Sequence, residues 1–193
     1  ETEQAGGAHR AACQAGVGSR HGRTHIHTKL KHGLMPAILF VCTANRIRSP
    51  MAEYLCRARL QTQAPDQATA WRIESAGAWA KAGLPPTQNA LLAAQQAGLD
   101  LSAHRSRPVE VIDFGRFDLV LTMEMSHKEA LRAEFPRLAG RIFLLSEMSG
   151  PARNVEDPYG LSIKDYEQTA QIIEGYVEKG FAEIMKRAAL AGK

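Results

Sequence analysis

Apolar and polar positions along this chain fall into two alternating kinds of segment. Ala37-Ile38-Leu39-Phe40-Val41 is a short, uninterrupted apolar run, the pattern of a strand buried on both faces of a parallel sheet. Ser49 and Pro50 follow as an N-cap and a first-turn proline, predicting a helix through about Gln61. Residues 71–75 alternate as a second strand, and Thr87 to Ala97 reads as a helix stopped by Gly98. A third strand is predicted over 118–122 and a fourth over 141–145. Between them, Ser126 and Glu129 have the spacing of a capping box for a helix that ends before Pro136. From Asp165 to about Ala191 a long amphipathic helix is predicted, with Ile172, Tyr176, Phe181 and Ile184 on its inner stripe. Strands alternating with helices imply an α/β fold whose parallel sheet is covered on both faces. Ligands of such sheets sit beyond the C-terminal strand ends, so the first strand points at its own following loop.

Composition narrows the class. With 193 residues, 45% of them hydrophobic and 23% charged, the chain can build one ordinary core and is no disordered polyelectrolyte. The longest apolar run, Pro36 to Cys42, falls far short of the ~20 residues of a membrane-spanning helix. The net charge of +4 is uneven: residues 1–34 hold five Lys/Arg against two Glu, and the remainder 19 Lys/Arg against 18 Asp/Glu. Basicity therefore belongs to the N-terminal segment, and the rest shows no bias toward nucleic acid. Residues 1–34 show no apolar periodicity and lack the continuous apolar stretch of a secretory signal. They are expected to form a disordered tail, which an upstream start would account for, with the domain spanning 35–193. Three irregularly spaced cysteines, Cys13, Cys42 and Cys56, make neither a disulfide framework nor a zinc site. A reducing, cytoplasmic setting without metal or other cofactor is expected.

The chemistry concentrates in Cys42-Thr43-Ala44-Asn45-Arg46-Ile47-Arg48-Ser49-Pro50. A cysteine ends the strand, five residues follow, and an arginine stands just before the helix. A loop of that length can wrap its backbone N–H groups around one tetrahedral anion, with the helix N-terminus behind it. Arg48 can close the cradle with a bidentate fork onto two oxygens. The same field favours thiolate at Cys42, which predicts attack on phosphorus and a phosphocysteine intermediate.

These residues resemble the phosphate loop of the low-molecular-weight protein tyrosine phosphatases, V-C-x-G-N-x-C-R-S-P-x-A-E. The similarity continues, in order, through Glu74-Ser75-Ala76-Gly77, residues 98–107, residues 117–123 and Glu156-Asp157-Pro158-Tyr159-Gly160. The implied fold is a single-domain three-layer sandwich whose four parallel strands run in the flavodoxin-like order 2-1-3-4. The implied activity is hydrolysis of phosphotyrosine in proteins, and of aryl phosphates, by a chain whose default state is monomeric. On this resemblance Asp157 becomes the proton donor to the leaving oxygen and later the base for water; an Asp-Pro pair alone reads as a turn. Thr43, Ala44, Asn45, Arg46, Ile47 and Ser49 line the phosphate. Asn45 and Ser49, with Ser75 and His104, form the polar network that shapes the loop. Trp79 and Tyr159 offer aromatic faces to a flat aryl phosphate.

Three positions depart from the family pattern. Ala44 replaces a glycine, at a cost of about 1 kcal/mol if its φ must be positive. Ile47 replaces the second loop cysteine, so peroxide is expected to carry Cys42 past the sulfenic acid beyond rescue by dithiothreitol. Arg46 stands where relatives carry an apolar residue, or a threonine in those resembling protein arginine phosphatases. It is expected to repel a guanidinium and welcome acidic residues beside a phosphotyrosine. Gly160 stands where many relatives carry a second tyrosine. The alternatives are a protein arginine phosphatase on the same fold, or a phosphate-binding regulatory module of weak turnover. A thiol-dependent arsenate reductase would need cysteines after Cys56, and none exists.

Overall fold

A computed structural model describes residues 35–190; the expected tail lies outside them. The elements are β1 (Ala37–Cys42), α1 (Arg48–Gln63), β2 (Arg72–Gly77), α2 (Gln88–Gln96), β3 (Leu119–Thr122), α3 (Met125–Glu134), β4 (Ile142–Leu144) and α4 (Ile163–Leu190), with short 3-10 turns between several of them. All strand pairs are parallel and the order is β2-β1-β3-β4, as the resemblance implies. Every residue of β1 is buried, which explains its unbroken apolar run. Ile38, Phe40 and Cys42 face one core with α1, α2 and α4. Ala37, Leu39 and Val41 face another, smaller core with α3, Phe114 and Phe117. Chain leaving β1 therefore passes to one face and chain leaving β3 to the other, and a crevice opens between them.

Three local expectations are corrected. Helix α1 begins at Arg48, with Ile47 at its N-cap and no side-chain cap, because the Ser49 hydroxyl is engaged by Cys42 and Asn45 instead. Pro50 still sits in the first turn, where its missing N–H costs nothing. Helix α3 begins at Met125 with Glu124 as an extended, uncapped N-cap residue. No capping box forms at Ser126, since the chain is already helical there. In α4 the first half of the stripe is shifted by one residue: Ile172 is 41% exposed and Tyr176 half-buried, and Ile173 and Val177 face inward instead, while Phe181 and Ile184 are buried as expected. Among the described residues no helix is long and apolar enough to cross a membrane.

Candidate active site

At the end of β1 the chain turns directly into the loop, and the β1–β2 pairing continues past Gly77. Ala78 N–H donates to Cys42 O at 2.8 Å and Trp79 N–H to Thr43 O at 2.9 Å. Gly77 permits this approach, for a Cβ there would stand 2.7 Å from Thr43 O and 2.8 Å from Ala44 C. The residue of positive φ in the loop is Asn45, at 53°, a conformation that asparagine tolerates. Ala44 is not in that region, so its expected strain does not arise.

Below the loop lies a buried polar chain. Cys42 Sγ accepts from Asn45 N–H at 3.3 Å and lies 3.0 Å from Ser49 Oγ. Asn45 Nδ2 donates to Ser49 Oγ at 3.0 Å and to Ser75 Oγ at 2.8 Å, while its Oδ1 accepts from Arg107 N–H at 2.8 Å. Ser75 donates in turn to Glu53, whose carboxyl is raised above its usual range by burial, against the opposing pull of Ser75 and Arg57. His104 Nε2 donates to Asn45 O at 2.8 Å; burial lowers its basicity, and nearby arginines add to the shift. Asn45 thus uses both polar atoms of its amide and its own backbone in a single network, as expected for a buried polar group.

Arg48 is fully buried. Its Nη1 donates to Glu124 and, at 2.8 Å, to Val155 O; its Nη2 donates to Asp157 and, at 2.9 Å, to Thr43 Oγ1. Its Nε is buried without a partner. The fork is therefore held by two carboxylates, Glu124 entering from the start of α3 and Asp157 from the Asp-Pro-Tyr loop. Asp157 Oδ1 also accepts from Tyr159 N–H at 3.1 Å, the turn that an Asp-Pro sequence favours.

Above the loop is a cleft of about 290 Å³. Cys42, Thr43, Ala44, Ile47 and Arg48 form its bottom, and Arg46, Asp157, Trp79 and Tyr159 its walls. Trp79 and Tyr159 are 67% and 69% exposed, so they belong to the rim and not to the core. Arg46 is tied to that wall by Nε donating to Pro85 O at 2.7 Å. All thirteen residues singled out in the sequence gather here, nine lining the cleft and Asn45, Ser49, Ser75 and His104 beneath it. A wider groove of about 460 Å³ bordered by Arg153 and Lys179 contains no thiol or imidazole.

Sequence reasoning missed Glu53, Glu124, His127 and Lys81. Glu53 carried a signal, as the acidic residue that closes the loop motif; the others lie in unremarkable helix and loop sequence. Cys56 is fully buried and its thiol is pushed up to about 12 by burial, which makes it a poor redox partner. Among the described residues no group of three or more His, Cys, Asp or Glu is arranged to hold a metal ion.

Comparison with known proteins agrees with this geometry. The sequence profile of the family described as low molecular weight phosphotyrosine protein phosphatase matches residues 37–190. A probable low molecular weight protein-tyrosine-phosphatase, EpsP, of Ralstonia nicotianae is 30% identical over 75% of this chain and 93% of its own length. A protein-arginine-phosphatase of Bacillus subtilis is 34% identical over 71% of this chain and 89% of its own. The crystal structure of a low molecular weight protein tyrosine phosphatase from T. tengcongensis superposes with a TM-score of 0.69 at 36% identity, covering 76% of this chain and 98% of that one. With the match spanning the sheet, the loop and every residue of the cleft, the chain belongs to the low molecular weight phosphotyrosine protein phosphatase family and is a hydrolase of phosphoric monoesters.

Proposed function

We propose that this enzyme removes the phosphoryl group from phosphotyrosine in proteins, and from aryl phosphates, by way of a phosphocysteine. The observation that carries the reading is the convergence of Cys42, Arg48 and Asp157 on one cleft. The phosphoryl oxygens bind the loop amides and Arg48, whose unpartnered Nε is available to them and whose bond to Asp157 they replace. The Asn45 N–H donates to the Cys42 sulfur, and the Ser49 hydroxyl lies 3.0 Å from it, so both hold the nucleophile in place beneath the phosphoryl group. The thiolate attacks phosphorus, the bond from phosphorus to the aryl oxygen breaks, and that oxygen takes the Asp157 proton. In the second step Asp157 as carboxylate takes a proton from water. The water oxygen bonds to phosphorus, the S–P bond breaks, and inorganic phosphate leaves with the thiolate restored. A reducing, cytoplasmic setting suits a mechanism that depends on a free thiolate.

Substrate choice rests on the walls. Trp79 and Tyr159 suit a flat ring, whereas Arg46, tethered to Pro85 O, adds a cation beside the entrance and disfavours the guanidinium of phosphoarginine. The relative named a protein-arginine-phosphatase keeps that second reading alive, and faster turnover of phosphoarginine than of phosphotyrosine peptides would establish it.

The test is p-nitrophenyl phosphate hydrolysis across pH 4.5 to 8 by the wild type and two variants. Cys42→Ser is expected to lose turnover by roughly 10⁴-fold or more. Asp157→Ala should lose about 10²–10⁴-fold in kcat, less on p-nitrophenyl phosphate than on phosphotyrosine, whose leaving group depends more on a proton. A folded wild type that binds vanadate without turnover would make the chain a binding module.

A further inference from the structure

His127 is a buried histidine that the proposed mechanism leaves unused. It sits in the first turn of α3 and is 1% exposed. Its Nε2 lies 3.3 Å from Thr43 Oγ1, the hydroxyl that accepts from Arg48 Nη2. On its other side the ring packs against Trp79, with centroids 5.6 Å apart and planes tilted by 50°. Its Nδ1 is buried without a partner. Packing alone does not explain an imidazole here, because an apolar ring would fill the space without leaving a desolvated nitrogen unpaired.

Burial lowers the basicity of His127, and Arg48 adds to the effect, while Glu124 and Asp157 oppose it. The ring is accordingly neutral at neutral pH. Thr43 Oγ1 has its own proton to give and a second lone pair, so either neutral tautomer can make the bond. Trp79 needs such a neighbour. Its backbone is anchored on Thr43 O, but its side chain stands in solvent at the rim. An unbraced indole would lose rotamer freedom each time a substrate ring stacked on it, and bracing beforehand lowers that cost.

We propose that His127 is a specificity-determining, positioning residue that braces the Trp79 indole as the wall for the substrate's aromatic ring, with Thr43 fixing the orientation of the brace. This rests on the phosphatase reading of the same cleft. It separates aryl recognition from phosphate recognition: the brace acts on Trp79 and leaves the loop amides and Arg48 in place.

The test compares KM for a phosphotyrosine peptide with the inhibition constant for inorganic phosphate, in wild type, His127→Ala, Trp79→Ala and the double variant. His127→Ala is expected to raise the peptide KM about 3- to 10-fold, the range that an aromatic contact supports. Its phosphate inhibition constant and kcat should change by less than about twofold, a split that general loss of structure would not produce. Once Trp79 is gone, removing His127 should add nothing. His127→Phe, which keeps the ring, should restore most of the affinity and serves if the alanine variant folds poorly. Equal weakening of peptide and phosphate, additive losses in the double variant, or an unchanged KM each overturn the inference. A wild type inert toward every phosphomonoester overturns the proposed function together with it.

Discussion

The two sides of the phosphate loop are built in opposite ways. Beneath it, Asn45, Ser49, Ser75 and Arg48 are fully buried, and Asn45 is joined to its neighbours by bonds of 2.8–3.0 Å. Above it, Trp79, Tyr159 and Lys81 are exposed, and Arg46 reaches the wall through one bond to a carbonyl. Removing a partner from the floor strands buried polar groups, whereas removing one from the rim exposes groups already in water. The floor should therefore govern whether the loop forms at all. The rim should govern what it accepts.

The sharpest way to break that division is at Asn45. Asn45→Ala removes three side-chain hydrogen bonds and puts a non-glycine, non-asparagine residue at φ 53°. We expect a stability loss of about 2–4 kcal/mol and a fall in kcat of about 10- to 100-fold, measured by urea unfolding and steady-state kinetics. Asn45→Gly, which fits the backbone but still lacks the bonds, should regain only about 1 kcal/mol. Full recovery by glycine would mean that the network adds nothing beyond backbone geometry.

A second contrast lies in pH. His104 and His127 are both held below their ordinary range by burial. The unfolded chain then binds more protons, and stability falls as pH drops below about 6.5 toward the folded-state values. Glu53 runs the other way, since its raised carboxyl gives the folded state more protons above about pH 4.5. Glu53→Gln should therefore steepen the loss of stability on acidification, and His127→Asn should flatten it, in denaturant titrations at several pH values. Parallel profiles would show that these buried titratable groups do not feel their burial.

The smallest effect belongs to the rim. Arg46→Ala is expected to lower kcat/KM about threefold on phosphotyrosine peptides with acidic neighbours, to lose that effect at high salt, and to leave p-nitrophenyl phosphate unaffected. A loss equal on both substrates would place Arg46 with the floor.

How much of this was legible in the sequence follows the same division. β1, the loop and the helix after it announce themselves because their contacts are local: an apolar run, a cysteine, an arginine and a Ser-Pro pair within fourteen residues. Asn45, Ser75 and His104 could be grouped only through family resemblance, since their bonds span 30 and 59 positions. Glu124 was hidden for a different reason. It ends a strand-to-helix connection that reads as an ordinary cap, and Ser126 and Glu129 offered a more familiar signature. The one-residue shift in the first half of the α4 stripe has a simple origin as well, since Ile172 and Ile173 are adjacent and only tertiary packing decides which turns inward.

The continuation of the β1–β2 ladder into the loop has a dynamic consequence. Because Ala78 and Trp79 donate to the carbonyls of Cys42 and Thr43, the loop's first residues are hydrogen-bonded as if they were the next rung of the sheet. Opening them alone would break a strand at its buried end, so these two amides should exchange with solvent only in the cooperative unfolding of the sheet, while amides near Tyr159 exchange by local fraying. Native-state hydrogen exchange would then find the nucleophile and the Trp79 backbone inside the slowest-opening unit of the molecule, and the Tyr159 side of the entrance in one of the fastest.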